Sequence, residues 1–158
     1  MIDPTGAFQL LREALGDLVL ASSEVEESLQ DGIATLGGAL EDEDKYKIAT
    51  STLGWLVNKF EQQYELQSAG VAGAESVGPL CTRLRDLSRE RNDLIHAMWT
   101  FDSDVGVAQR YRVRKQGGGL ELNMASVDPD SVLDLASRFR NAGARLWEIL
   151  LRLGDLKG

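Results

Sequence analysis

The stretch "RLRDLSRERNDLIHAMW", residues Arg83–Trp99, has the spacing of an amphipathic helix that carries a cation in the middle of its apolar face. On a helical wheel with about 100° per residue, the apolar positions fall within about 60° of Arg91. Together with two residues that precede the stretch, they are Val77, Leu80, Leu84, Leu87, Leu94, Ile95 and Met98. Because a guanidinium keeps its proton, a buried Arg91 requires a carboxylate or another acceptor.

A polar strip borders this apolar face, at roughly 100–160° from Arg91 on the wheel. It holds His96, the only histidine of the chain, together with Asn92, Arg85 and Arg89. Two interpretations remain open. In one, Arg91 forms a buried salt bridge and His96 fills a half-buried position; in the other, the two residues belong to a functional site.

Three further helices are predicted around this stretch from apolar residues that recur every three or four positions, and Tyr46 is placed on the apolar face of the second. The fourth begins near "DPDS", where Asp128 can cap the helix and Pro129 suits its first turn. The four predicted helices cover about residues 4–36, 46–64, 76–99 and 128–153.

A short β-hairpin is predicted between the third and fourth helices, at about residues 105–125. There, "RYRVRKQGGGLELNM" alternates apolar and polar residues on both sides of a glycine turn. The predicted architecture is one domain over residues 1–158. It is all-α, a four-to-five-helix up-and-down bundle with a small β-hairpin inserted before the last helix.

The composition narrows the class of protein. No apolar run is long enough to span a bilayer, and the first residues lack the basic start and apolar block of a secretory signal. Cys81 is the only cysteine, so it has no second cysteine with which to form a disulfide or a zinc site. We expect a cytoplasmic protein with no membrane contact, no metal and no cofactor.

The charge is unevenly distributed along the chain. Net charge is −8 for all 158 residues, which disfavours a general nucleic-acid coat. Residues 83–115, however, carry eight bases against five acids, so this segment is +3 and the remainder is −11. A polyanion is therefore expected to bind at this segment.

The hexamer "RNDLIH", Arg91 to His96, resembles the R-x4-6-H signature of the HEPN superfamily, in which a polar residue often follows the arginine. The long first helix with a glutamate on its edge, the aromatic residue after the signature and the amphipathic last helix also fit. The resemblance implies a helical bundle of HEPN type, frequently dimeric. Many members are metal-independent endoribonucleases of toxin–antitoxin and phage-defence systems, and others are non-catalytic.

One position departs from the pattern. HEPN toxins that are silenced by adenylylation have a tyrosine two residues after the histidine, where this chain has Met98. Regulation by that modification is therefore not expected here.

The chemistry of metal-free RNA cleavage suits the residues of the signature. His96 can transfer protons near neutral pH, and Arg91 can stabilise a dianionic phosphorane with fixed, permanently charged donors. Since one imidazole cannot easily act as base and acid in the same step, two copies in a homodimer would form a composite site. Asn92 either orients the imidazole or binds a phosphate oxygen, or is a helix-surface amide.

The supporting residues follow from helix and strand geometry. Glu26 lies at the edge of the apolar stripe of the first helix, so it is the predicted partner of Arg91, with surface exposure as the alternative. The candidate substrate-binding residues are Arg85, Arg89, Arg110, Arg112 and Arg114. The last three share one strand face, where they either guide a phosphate backbone or protect a solvated edge strand from aggregation.

Two functions are therefore expected. The first is a homodimeric, metal-independent endoribonuclease that acts on RNA, as a toxin or defence component with a possible antitoxin protein as partner. The alternative is a non-catalytic HEPN-like module that binds a nucleotide or a protein. The overall acidity favours the second function, and the +3 segment with its complete R-x4-H favours the first.

Overall fold

The computed structural model describes residues 4–38, 40–102 and 107–158. Five helices and a small antiparallel sheet make up this part of the chain. In chain order they are α1 (Pro4–Gly37), α2 (Asp42–Thr50), α3 (Leu53–Ser68), α4 (Gly78–Ile95), β1 (Met98–Asp102), β2 (Val107–Gln116), β3 (Gly119–Ser126) and α5 (Pro129–Lys157). The structure is therefore mostly helical, with the sheet placed before the last helix as predicted.

Local sequence sets several element boundaries. The Asp128 carboxylate accepts from the Asp130 backbone N–H at 3.1 Å, and Pro129 occupies the first turn of α5, as the sequence predicts. At the end of α1, Gly38 has φ +70°, a left-handed conformation that residues with a side chain rarely adopt. The predicted extents of the first and last helices are thus confirmed to within a few residues.

The second predicted helix is in fact two helices. Ser51 and Thr52 both have extended backbone, with ψ of 156° and 155°, and the Thr52 hydroxyl accepts from the Trp55 N–H to begin α3. Adjacent serine and threonine side chains compete with the helix for backbone hydrogen bonds, which explains the break. Tyr46, expected on the apolar face, is 72% exposed on α2.

The third predicted helix ends earlier than expected, and the hairpin is larger. Met98 and Trp99 belong to β1, which pairs antiparallel with β2 from Met98 opposite Tyr111 onward. Helical spacing of apolar residues was misleading here, since strand pairing with a distant segment decides the conformation of these residues. The predicted hairpin itself is present as β2–β3, and Gly117 and Gly118 at its turn have φ of +56° and +87°.

Helix directions follow from paired contacts. Along α1 and α5, Asp17 pairs with Arg140 and Ser28 accepts from Trp147, so these two helices run parallel. The partner of Arg138 is Glu90 on α4, and that of Arg145 is Glu75, which precedes α4, so α4 runs antiparallel to α5.

Helix α3 is also antiparallel to α4. Arg85 of α4 contacts Asn58 of α3, and the Tyr64 hydroxyl near the end of α3 donates to the Glu75 carbonyl before α4. Helices α1, α3 and α5 therefore share one direction, and α2 returns the chain between α1 and α3. This arrangement fits the predicted up-and-down order.

The core lies between α1, α3, α4 and α5. Its largest fully buried side chains include Leu18, Leu29, Phe60, Leu84, Phe139 and Leu146. At Gly32 of α1, an added Cβ would lie only 3.0 Å from the Phe60 ring, so glycine permits the close approach of α1 and α3.

Candidate functional site

Arg91 lies near the end of α4 and turns into the bundle. Its side chain is 20% exposed, and its Nη1 lies 3.4 Å from Oε1 of Glu26, whose side chain is 27% exposed. The carboxylate chosen from the helical wheel of the sequence is thus the one that the structure places beside Arg91. The separation exceeds the 2.7–2.9 Å usual for a charge-assisted hydrogen bond, so this ion pair is loose.

The Arg91 guanidinium has an unused donor. Its Nε is buried and has no hydrogen-bond partner among the described residues. Buried donors in native proteins are nearly always paired, with protein, water or ligand. The packing around Arg91 thus leaves one of its donors unsatisfied among the described residues.

The last carbonyls of α4 are capped by the residues that follow the helix. The Asn92 carbonyl accepts from the His96 N–H at 3.1 Å, and the Leu94 carbonyl accepts from the Trp99 indole N–H at 3.1 Å. The Trp99 side chain of β1 thereby satisfies a carbonyl that has no partner within the helix. The position of His96 is consequently tied to β1.

Arg110 of β2 completes this cap. Its Nη1 donates to the Asp93 carbonyl at 3.2 Å, and the side chain is half-buried. A cation at a helix C-terminus also interacts favourably with the helix dipole. The structure therefore gives Arg110, a predicted substrate-binding residue, a contact with the end of α4.

His96 occupies the C-cap position of α4 and is exposed to solvent. Among the described residues, none hydrogen-bonds its imidazole and none links it to the Arg91 guanidinium. Arg91 is 20% exposed and pairs with Glu26, whereas His96 follows the helix and is exposed to solvent. The two residues of the signature therefore have different surroundings within one chain.

The two arginines of the polar strip differ in how firmly other side chains hold them. Arg85 is engaged: its Nε and Nη2 lie 3.0 and 2.9 Å from Oδ1 of Asn58, and it also pairs with Glu61 of α3. Arg89 is 74% exposed, and its one ion pair among the described residues is with Asp86, one turn away at 2.8 Å. Surface pairs of this kind are weak, so Arg89 can exchange its partner for a phosphate.

Asn92 lies on the same strip as Arg89 and is half-buried, in the turn before His96. Its position is compatible with both roles expected for it, contact with the imidazole or with a phosphate. Strand register places Arg112 opposite Asn123 and Arg114 opposite Glu121 of β3. The side chains of Arg112 and Arg114 fall outside the part of the molecule that the structure describes.

A cleft of about 360 Å³ lies on the other side of α4, between α4, α5 and the base of the sheet. Arg110 and Arg138 line it together with Glu90, Asp93 and Asp134. Arg138 and Glu90 form a bidentate pair at 2.8 and 2.7 Å, and this hydrogen bonding raises the pKa of the Arg138 guanidinium. Sequence reasoning missed this cleft because its residues come from three distant segments, and it includes neither Arg91 nor His96.

Cys81 is not available for chemistry. It is fully buried in the core, and this burial raises the pKa of its thiol to about 12. At neutral pH the side chain is therefore a protonated thiol that fills space.

Neither a metal site nor a membrane-spanning helix is present in the described part of the chain. In residues 4–38, 40–102 and 107–158, no group of three or more His, Cys, Asp or Glu side chains is placed to hold a metal ion. Within those same residues, no helix is both long and apolar enough to cross a membrane.

No known protein-family profile, curated protein or solved structure matches this chain. The functional interpretation therefore depends on the geometry and chemistry of the residues themselves. Those that carry it are Arg91 with Glu26, and His96 with Asn92.

Proposed function

We propose that this protein is a metal-independent endoribonuclease of HEPN type, which cleaves RNA at a composite site formed by two copies of the R-x4-H motif. The observation that carries the proposal is that Arg91 is half-buried and only loosely paired. Glu26 holds it half-buried through a loose pair, its Nε has no partner among the described residues, and His96 is exposed about one and a half turns further along the chain.

The reaction begins with proton transfer at the 2′-hydroxyl of the RNA. The imidazole of one His96 removes this proton, and the oxygen attacks the adjacent phosphorus. The imidazole of the partner's His96 protonates the departing 5′-oxygen, which leaves a 2′,3′-cyclic phosphate and a 5′-hydroxyl. Histidine suits both steps because it exchanges protons near neutral pH.

The phosphorane that forms between these steps carries two negative charges. Arg91 would stabilise it, because a guanidinium offers permanently charged N–H groups in a fixed plane. Glu26 positions this guanidinium and does not react. Asn92 would orient the imidazole or bind a phosphate oxygen, and Arg89, Arg112 and Arg114 would guide the RNA backbone.

The chemistry of the reaction supports the need for two copies. Since one imidazole cannot readily act as base and acid in the same step, a site that uses His96 for both tasks draws on a second chain. A symmetric homodimer with the C-terminal ends of α4 near the twofold axis satisfies this requirement. A cytoplasmic toxin or defence component, with an antitoxin protein as its partner, is the biological setting that we propose for this activity.

Comparison of wild type with His96→Ala tests this function directly. Wild type should cleave RNA in the presence of EDTA, and His96→Ala should lower the rate by about 10²–10⁴-fold, the usual contribution of a general acid or base. Arg83→Ala, which removes an exposed cation from the same helix, should keep the wild-type rate. If wild type cleaves no RNA across a broad set of substrates, or a chelator abolishes cleavage, the ribonuclease proposal is wrong.

The alternative function is a non-catalytic module that binds a nucleotide or a protein. The cleft between α4, α5 and the base of the sheet favours it, because a volume of about 360 Å³ lined by both basic and acidic side chains suits a small polar ligand. Titration calorimetry with mononucleotides would test this alternative. Binding that is lost in Arg138→Ala but kept in His96→Ala would support it.

A further inference from the structure

A pocket of about 170 Å³ lies between α1, α2 and α3. Its apolar wall consists of Ile33 of α1, Leu40 from the connection after α1, Ile48 of α2 and Trp55 of α3. Ile33 and Ile48 are buried, whereas Leu40 and Trp55 pack against the core and stay partly exposed. The apolar wall therefore extends from the surface into the core.

Two lysines line the same pocket. Lys59 of α3 is half-buried, and Lys47 of α2 is exposed, with its Nζ 5.5 Å from the centroid of the Trp55 ring. At such a distance an ammonium group is attracted to the face of an indole. This contact keeps the charge of Lys47 beside the apolar wall.

Neither lysine forms an ion pair with a carboxylate among the described residues. This is unusual in a chain with 25 acidic and 17 basic residues. All four arginines of α5, for comparison, pair with carboxylates: Arg138, Arg140, Arg145 and Arg152. A half-buried charge loses part of its hydration, and a counter-ion offsets this cost. The pocket therefore offers two cations to an anion from outside the chain.

The charges around the pocket indicate the charge of a ligand. Asp44 of α2 also lines the pocket, so the sum for Lys47, Lys59 and Asp44 is +1. A monoanion balances this charge, and a carboxylate accepts charge-assisted hydrogen bonds from ammonium groups. Gln63 of α3 lines the pocket as well, and its side-chain amide is a further donor.

The volume of the pocket limits the size of a ligand. An apolar cavity of about 150 Å³ binds benzene. The 170 Å³ of this pocket therefore suits one ring with a small anionic group.

We propose that this pocket binds a small apolar monocarboxylate of about the size of benzoate. The ring of the ligand packs against the apolar wall, and its carboxylate pairs with Lys47 and Lys59. Neither Arg91 nor His96 lines the pocket, so this site is separate from the proposed catalytic residues. The inference therefore does not depend on the ribonuclease function.

Titration calorimetry with benzoate tests the site. Wild type should bind benzoate with a dissociation constant of about 1 mM or below, as expected for a ligand of this size. Lys59→Met removes the charge and keeps an unbranched side chain, so the dissociation constant should rise at least about 10-fold. Lys45→Met, at an exposed lysine of α2 that does not line the pocket, is the matched control and should bind as wild type does.

Lys47→Met, at an exposed position, is the second variant and should also weaken binding. An unchanged urea midpoint confirms that each variant folds. Benzyl alcohol has a similar ring without the charge, so it should bind wild type at least about 10-fold more weakly than benzoate does.

The proposal is overturned if wild type binds no benzoate at about 10 mM, or if both lysine variants bind it with wild-type affinity. Equal affinity for benzyl alcohol and benzoate also overturns it, since the pocket would then be an apolar cavity only. Tighter binding of phenyl phosphate than of benzoate overturns the assignment to a monocarboxylate.

Binding to His96→Ala separates this site from the ribonuclease function. This variant should bind benzoate with wild-type affinity, whether or not wild type cleaves RNA. Loss of benzoate binding in His96→Ala would place benzoate at the other site and overturn the proposal. Benzoate binding that depends on Lys59, in a protein that cleaves no RNA, supports the pocket and contradicts the ribonuclease.

Discussion

At the scale of single residues, the central feature is a cation placed where the helix should be apolar. Glu26 is the partner of Arg91 in this position, but their closest N and O atoms are 3.4 Å apart. Nε of Arg91 has no partner among the described residues. Desolvation of a guanidinium costs free energy that such a loose pair offsets only in part. Stability alone would favour a leucine here, which is why we assign Arg91 a role in function.

Removal of the carboxylate should destabilise the fold. In Glu26→Gln the charge of Arg91 stays desolvated without its partner, and we expect a loss of about 1–3 kcal/mol in the free energy of unfolding. The loss should remain below the 3–5 kcal/mol of a fully buried pair, because both side chains are partly exposed. Urea denaturation measures it, with Glu27→Gln, an exposed neighbour on α1, as the control. An equal effect of both substitutions would show that the ion pair is irrelevant.

Arg91→Lys should separate charge from geometry. Lysine keeps the positive charge but loses the planar arrangement of donors, so RNA cleavage should fall by at least about 10-fold while the fold survives. The rate at saturating RNA, compared with the urea midpoint of the same variant, distinguishes a catalytic effect from a loss of stability. Unchanged cleavage would mean that the guanidinium plane does not contact the phosphate.

At the scale of secondary-structure elements, the sheet and α4 depend on each other. Trp99 and Arg110, from two different strands, donate to the last carbonyls of α4, and these contacts hold the turn that presents His96. The sheet in turn has its inner face covered by the helices at its base. The strands are therefore packed against the end of α4 and hold the turn that carries His96.

Trp99→Phe should test this dependence. The substitution keeps an aromatic side chain but removes the N–H that donates to the Leu94 carbonyl, and we expect a loss of about 1 kcal/mol in the free energy of unfolding. RNA cleavage should fall as well, because the position of His96 relaxes. Trp147→Phe is the matched control, since this exposed indole donates to Ser28 on another helix, far along the sequence. Equal effects on cleavage in the two variants would contradict a positioning role of β1.

At the scale of the whole molecule, ion pairs between helices surround a core of leucine and phenylalanine. Asp17 of α1 and Arg140 of α5 join the two longest helices through two hydrogen bonds, of 2.5 and 3.0 Å. The hydrogen bond from Arg140 lowers the pKa of the Asp17 carboxyl from its ordinary value of 3.8. The association of these helices therefore depends on pH.

The stability of the fold should decrease in acid partly through Asp17. A carboxyl whose pKa is lower in the folded state stabilises the fold above its unfolded pKa, and this contribution is lost as the pH falls through the folded value. Asp17→Asn should therefore lower the urea midpoint at pH 7, and its difference from wild type should shrink toward pH 3. Asp31→Asn, an exposed position on the same helix, is the control. A difference that stays constant between these pH values would contradict this contribution.

Much of the fold follows from local sequence. The apolar spacing of α1 and α5, and the capping of α5 by Asp128 and Pro129, depend on neighbouring residues, so the sequence alone predicts these helices. The choice of Glu26 as the partner of Arg91 was also correct, because the inner edge of an amphipathic helix can be read from its periodicity. Two predictions were wrong. The second helix is not continuous, because Ser51 and Thr52 interrupt it, and Tyr46 is exposed although it was placed on the apolar face.

Only the tertiary structure decided the end of α4 and the surroundings of the site. Met98 and Trp99 continue a helical pattern in sequence, yet pairing with β2 makes them a strand, and residues far along the chain provide that pairing. The engagement of Arg85 by α3, the contact of Arg110 with α4 and the cleft beside Arg138 arise in the same way. Periodicity reports which side of an element is buried, whereas the identity of its neighbour depends on how distant segments pack. The sequence therefore determined that Arg91 lies on the apolar face and His96 on the polar strip, and the folded chain determined where α4 ends and which residues surround the two.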